Sequence, residues 1–278
     1  DEDLSRGLGD VYKRQAKGDL TRIYSDEQLA ALPIKPRQDR KLVGMQTMAT
    51  DIPAKTNGTA VYGIDATYPG MVYAKPMMPP TRHGSVVKGV DDSAAKSIAG
   101  YQQTLVLDDP SDTVPGWALV IADSYHAAQR AARVIKVDWQ AGPGAQVSEA
   151  DLLQRGAELL EGTSGSLVVD NEHVDHMFQA ANSVLQASYT TNTVLHFQLE
   201  PVNAIGLEKD GRWELHTGNQ WQSLILPTLG QALGVAPEKV VMRTYTLGGG
   251  FGRRLNGDYG VPVSYTHLRA HETIPHLV

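Results

Sequence analysis

The chain has no cysteine among its 278 residues. Disulfides, cysteine nucleophiles and thiolate-held iron–sulfur clusters are therefore excluded within it. Bulky aromatics are scarce, with 3 Phe and 4 Trp. No apolar stretch approaches the roughly 18–20 residues of a membrane span. Basic charge is not in excess either, since the formal net charge is −6. That argues against nucleic acid as a partner, because such proteins carry a clustered basic face. What remains is an ordinary globular balance, 41% hydrophobic and 20% charged, long enough for one large domain or two ordinary ones.

Both ends read as something other than natural chain. Residues 5–15, SRGLGDVYKRQ, and residues 263–273, VSYTHLRAHET, match the conceptual translation of a transposon-type sequencing adapter in opposite orientations. We expect 1–15 and 262–278 to be adapter-like artefacts and the reading frame to continue past Val261. The spacing His267-x-x-x-His271-Glu272 is that of helical zinc ligands. It falls inside the second adapter-like run, so no metal site is expected there.

Between these ends the pattern changes along the chain. Residues 16–56 are polar, interrupted by Pro33 and Pro36, and read as a connector with one short helix at 26–31. Residues 57–140 read as a compact α+β module. Strands are expected at 59–64, 71–77, 86–90, 103–107, 117–122 and 137–139. A short alanine-rich helix is expected at 93–100, after an Asp91-Asp92-Ser93 cap. A clear helix follows at 124–135, with Tyr125, Ala128, Ala131, Ala132 and Ile135 on one stripe. A second region, 147–261, opens with a Ser148-capped helix to about 161. It continues with a strand at 184–190 and a hairpin, 204–207 and 213–216, around Asp210-Gly211. A helix at 222–234, containing Pro227 and closed by Gly234, comes next. A strand at 240–246 then leads into a run of glycines.

That run, Gly248-Gly249-Gly250-Phe251-Gly252-Arg253-Arg254, is the most informative stretch. Glycines free the backbone for close approach of a ligand, and successive amides form a concavity for an anion. Two following arginines add positive charge. No lysine precedes a Ser or Thr, so a Walker-type loop is excluded. Arg253 stands where a dinucleotide fingerprint needs its third glycine. From the residues alone, a structural turn and an oxyanion cradle remain open.

A strand entering Gly-Gly-Gly-Phe-Gly-Arg-Arg, with Asp258-Tyr259 after it, resembles the molybdopterin-binding subunit of the xanthine dehydrogenase/aldehyde oxidase superfamily. Within it, the likeness runs to the branch of the isoquinoline 1-oxidoreductase β subunit and membrane-bound aldehyde dehydrogenases. Residues 55–65 (KTNGTAVYGID) and 69–74 (PGMVYA) resemble the start of that family's hammerhead domain. Residues 196–204 (HFQLEPVNA) resemble its His/Glu-Pro segment, and 218–222 (GNQWQ) a segment near substrate.

The resemblance implies an α+β fold: a small hammerhead-type α/β module over 57–140, then the first part of a molybdopterin-binding α+β domain over 147–261. It implies cofactor contacts at Gly249, Gly250, Phe251, Gly252 and Arg253, and substrate-pocket candidates Gln198, Glu200 and Gln220. The cofactor implied is molybdenum–molybdopterin, as the cytosine dinucleotide, in a site that these residues complete only in part. The activity implied is hydroxylation of an aldehyde or N-heterocycle with water as the oxygen source. Electrons would leave through a small [2Fe-2S] subunit and onward to a cytochrome c, in the periplasm. Two departures from the xanthine-oxidising pattern, Val194 for a glutamine and Leu255 for an acid, turn the expectation from a purine to an apolar substrate. The family's glutamate base has no counterpart in residues 1–278, so the chain alone is expected to be inactive. The competing reading is a non-catalytic module that binds a phosphorylated ligand through the glycine loop. Among other polar residues, His196 is expected to be a core histidine, Glu200 a structural hydrogen-bond partner, and His173-x-x-His176 surface.

Overall fold

The computed structural model describes residues 24–263 except 163, 164, 167 and 170–172. The chain divides into two compact units at Gly58/Thr59. In the first, short helices α1 (Asp26–Ala30) and α2 (Ile52–Asn57) bury no side chain. Ser25 caps α1 through a reciprocal box with Gln28, which satisfies two N-terminal donors locally.

The second unit is α+β. Its first sheet is antiparallel in the order β1-β4-β3, formed by β1 (Tyr73–Met77), β3 (Tyr101–Val106) and β4 (Ala118–Ala122). β2 (Val86–Asp91) pairs separately with β5 (Lys136–Gln140), with a bulge between Val87 and Gly89. The central β4, Ala-Leu-Val-Ile-Ala, is buried along its whole length, as expected of an unbroken apolar strand covered on both faces. α3 (Tyr125–Ala132) covers one face. Ser124 caps it, and Ala127, Ala128 and Ala131 bring its backbone close to the sheet.

α4 (Glu149–Leu160) and α5 (Val174–Ala180) follow without buried residues. A second sheet, in the order β6-β7-β8, carries the C-terminal part. β6 (Ile205–Lys209) and β7 (Arg212–Thr217) form the hairpin, turned at Asp210 and Gly211 with φ of 54° and 71°. That pair of positive angles matches the right-handed strand twist. β7 also runs parallel to β8 (Val240–Thr244), joined to it through α6 (Gln222–Leu233), which tolerates Pro227 and ends at left-handed Gly234. One apolar cluster draws Leu107, Trp117 and Leu119 together with Leu215, Ile225, Leu229 and Val261.

Three expected elements take a different form. Residues 59–64 form no strand. Tyr62 makes one bridge to Thr246, and the Asp65 carboxylate takes the Tyr62 amide at 3.0 Å, closing a 3₁₀ turn over Gly63–Asp65 instead. The alanine-rich stretch is a 3₁₀ turn, Ser93–Ser97, that ends where Ile98 turns extended, too short to nucleate an α-helix. Residues 184–190 form no strand. Leu185 and Tyr189 are 95% and 92% exposed, and no described strand stands beside them to accept their backbone groups.

Candidate functional site

β8 and β7 deliver the site. The ladder continues past β8 as Tyr245 N donates to Thr217 O at 3.0 Å, which carries the chain to Gly248. There the loop meets residue 200 twice: Glu200 N donates to Gly248 O at 3.1 Å, and Gly248 N donates to Glu200 Oε2 at 2.8 Å. A Cβ at Gly248 would collide with the Glu200 side chain, so glycine here is demanded by the approach of that carboxylate. At the far end of the loop, Gly252 N donates to Gln220 Oε1 at 3.1 Å and Arg253 N to Gly250 O at 2.8 Å.

The amides between these anchors, those of Gly249, Gly250 and Phe251, make no hydrogen bond among the described residues. Phe251 is held at φ 49° and is 71% exposed. A left-handed phenylalanine is a strained placement that surrounding structure must impose. Gln198, Gln220 and His196 all border this loop, as the atoms that added Cβ groups at Gly249, Gly250 and Gly252 would meet. His196 itself is exposed, not a core histidine, because its segment has no covering layer among the described residues.

The charges behind the loop are mostly spent. Arg254 is fully buried and pairs with Glu200 at 2.9 Å. Its Nη atoms also donate to the carbonyls of Gly218, Glu200 and Pro201 at 3.2–3.3 Å. Glu200 Oε1 accepts from Ile64 N and Asn203 Nδ2, so both carboxylate oxygens are engaged. Asp258, also buried, bridges Arg253 at 2.6 Å and Arg82 at 2.8 Å. Three guanidiniums face two carboxylates, which leaves one net positive charge, on the outer pair Arg82 and Arg253. The two arginines of the motif therefore differ: Arg253 is partly exposed beside the loop, while Arg254 is an internal brace.

Sequence reasoning passed over Asn219, Tyr259 and Asp258 as individuals. Asn219 Nδ2 donates to Arg254 O and Tyr259 Oη, and Tyr259 donates to Gly218 O. Burial pushes the Tyr259 hydroxyl up, which keeps it a neutral donor. Their signal lay in polar residues placed next to glycines and aromatics, which only a contact map separates from surface. A second polar cluster sits on the same sheet. His216 hydrogen-bonds Tyr68 Oη at 3.0 Å and Glu214 Oε2 at 3.1 Å, and Arg243 pairs with Glu214 at 2.7 Å. Burial lowers the His216 pKa and lifts the Tyr68 hydroxyl to about 12, while Arg243 holds the Glu214 carboxyl below its usual range.

His173 and His176 lie exposed, as expected. The 267–272 histidine spacing lies outside the described residues, among which no cluster of three metal-ligating side chains occurs. An apolar groove of about 370 Å³, lined by residues of α5 and 181–185, lies in a different part of the chain from these polar residues and shares none of them. No helix among the described residues is long and apolar enough to cross a membrane.

Known proteins are similar in sequence and fold. Residues 161–268 match the molybdopterin cofactor-binding domain. The chain is 52% identical, over 92% of its length, to "Membrane-bound aldehyde dehydrogenase [pyrroloquinoline-quinone]" of Gluconacetobacter polyoxogenes, covering 33% of that protein. It is 33% identical, over 86% of its length, to the isoquinoline 1-oxidoreductase subunit beta of Brevundimonas diminuta, covering 30% of it. In fold it resembles quinoline 2-oxidoreductase from Pseudomonas putida 86, with a TM-score of 0.59 and 17% identity over 82% of this chain and 33% of that one. The chain thus spans about a third of the length of these relatives.

Proposed function

From the premise that the chain belongs, with these relatives, to the xanthine dehydrogenase/aldehyde oxidase superfamily of molybdopterin-dependent oxidoreductases, we propose that it forms one wall of the active site in the large subunit of a molybdenum hydroxylase. The substrate is an apolar aldehyde or N-heterocycle, and water supplies the oxygen. Electrons leave through a separate [2Fe-2S] subunit, consistent with the lack of any cysteine here, and pass to a cytochrome c in the periplasm.

The observation that carries this reading is the row of unpaired amides at Gly249, Gly250 and Phe251. Such a row suits an oxygen-rich, anionic group, and a Cβ at Gly250 would meet Gln220 Oε1 at 2.5 Å, so the wall is kept smooth by glycine. The residues present therefore fit a molybdopterin centre, which supplies two-electron redox chemistry when bound. Gly249, Gly250, Phe251 and Gly252 face it, and Arg253 adds positive charge beside it. Gln220, whose Oε1 is held by Gly252 N, keeps its amide hydrogens for a ligand, and Gln198 borders the same face. The exposed Phe251 ring supplies an apolar edge, and Val194 and Leu255 replace the polar side chains a purine would need.

Neither of these buried carboxylates serves as a base, because Asp258 is consumed by two arginines and Glu200 by an arginine and by amides. We place the general base outside residues 1–278. A phosphate-binding module without catalysis finds no support in the relatives.

The name of the 52%-identical relative carries pyrroloquinoline quinone, so the decisive measurement is cofactor identity. Purified as part of a complete subunit with its small partner, the protein is expected to hold molybdenum and to release a cytosine nucleotide on acid treatment. Quinone without molybdenum would overturn the proposal. The 278-residue chain alone is expected to turn over no aldehyde; turnover by it would put the base within these residues.

A further inference from the structure

Arg254 has a position that no cofactor contact explains. It is fully buried, and its partners are all within the chain. Its fork reaches the carbonyls of Gly218, Glu200 and Pro201 and the Glu200 carboxylate. Its own carbonyl accepts from Gln220 N and Asn219 Nδ2. Its Nε is without a partner among the described residues.

The same pair touches both ends of the glycine loop. Glu200, held by Arg254, grips Gly248 by its amide and its carbonyl, and residue 254 closes the loop two positions after Gly252. Gln220, fixed by the Arg254 carbonyl, grips Gly252. Both anchors of the amide row thus run back to one residue, the Glu200 anchor to its guanidinium and the Gln220 anchor to its backbone carbonyl.

We infer that Arg254 is the positioning residue of the amide cradle: through Glu200 at one end and Gln220 at the other it presets the amides of Gly249–Phe251, without touching the ligand. The inference rests on the proposed function for what the cradle receives, but not for how it is held. Lysine cannot replace it, because an ammonium is a single point and lacks the planar fork that meets several acceptors at once.

The test is hydrogen exchange by mass spectrometry on the 278-residue chain, with Arg254→Lys, Glu200→Gln and Arg253→Lys. We expect the hydrogen-bonded amides at the ends of the loop, Gly248 above all, to exchange about tenfold faster or more in Arg254→Lys, since the carboxylate that holds Gly248 loses its charged partner, while 118–122 keep their protection. Arg253→Lys leaves the loop as in the parent. Unchanged loop exchange in Arg254→Lys, or equal acceleration in both arginine variants, overturns the inference. Where Arg254→Lys loosens 118–122 as well, Glu200→Gln decides, because it keeps the side-chain volume while removing the ion pair and setting one amide NH2 against two of the donors that the carboxylate accepts. Faster exchange confined to 248–252 supports the inference, and unchanged exchange overturns it. In a complete subunit, Arg254→Lys is expected to retain several-fold less molybdenum through dialysis. A parent subunit without molybdenum sinks the proposed function and leaves the exchange result standing.

Discussion

Helices α3 and α4 are written in the same local grammar and meet different fates. Each begins at a serine whose hydroxyl accepts an amide of the first turn, Ser124 from Ala127 and Ser148 from Asp151. Each carries an apolar stripe. α3 sets Ala127, Ala128 and Ala131 against β1 and β4, whereas α4 buries nothing and leaves Leu160 87% exposed. Capping and periodicity fix that a helix forms; whether its stripe is covered depends on chain arriving from elsewhere. The contrast extends beyond helices, since 184–199 leaves Leu185, Tyr189 and Leu199 at 92–99% exposure while every side chain of β4 is buried. An uncovered run of this size is characteristic of an interaction surface.

The sharpest way to break the comparison is a paired truncation. Leu119→Ala, at a site with 0% exposure, is expected to cost about 2–5 kcal/mol in urea-induced unfolding. Leu153→Ala on α4 is expected to stay within roughly 0.5 kcal/mol of the parent. A large loss at Leu153 would show that α4 packs in solution against something. Cap deletions sharpen the same point at smaller scale. Ser124→Ala should cost about 1 kcal/mol of global stability. Ser148→Ala should appear only as faster amide exchange within α4, because that helix can open without exposing a core.

The smallest effect is the pH dependence of the buried side. Because burial lowers the His216 pKa in the folded chain, the unfolded chain binds more protons below its ordinary value of about 6.5. The stability associated with neutral His216 is therefore complete above that value and is lost as pH falls through the depressed one. Thermal unfolding between pH 7 and 5 is expected to be shallower in pH for His216→Asn than for the parent. Equal slopes would mean that the Tyr68–His216–Glu214 cluster opens to water in solution.

The helices at 26–31, 124–135, 149–161 and 222–234, the Asp-Gly hairpin and the strands of the first module were legible because each is encoded within a few residues, as a cap, a stripe or a turn. The 59–64 and 184–190 strands were misread because β-rich composition permits a ladder without supplying its neighbour. At the site, the loop and its bordering Gln198, Glu200 and Gln220 were legible from resemblance, and the structure brings them together. The division of labour between Arg253 and Arg254 was not, since adjacent identical side chains differ only in which way the backbone turns them.

By itself the sequence determined the local elements, the absence of thiol chemistry and the family to which its glycine loop points. These are properties of composition and short-range order. Only the tertiary structure decided that Glu200 and Asp258 are spent on arginines, that Arg254 is a brace while Arg253 stays beside the loop, and that His196 lies outside the core. The pairings of Arg254 with Glu200 and of Arg82 with Asp258 join residues tens to well over a hundred positions apart, and burial sets whether a charge is solvated, paired or free to meet a ligand.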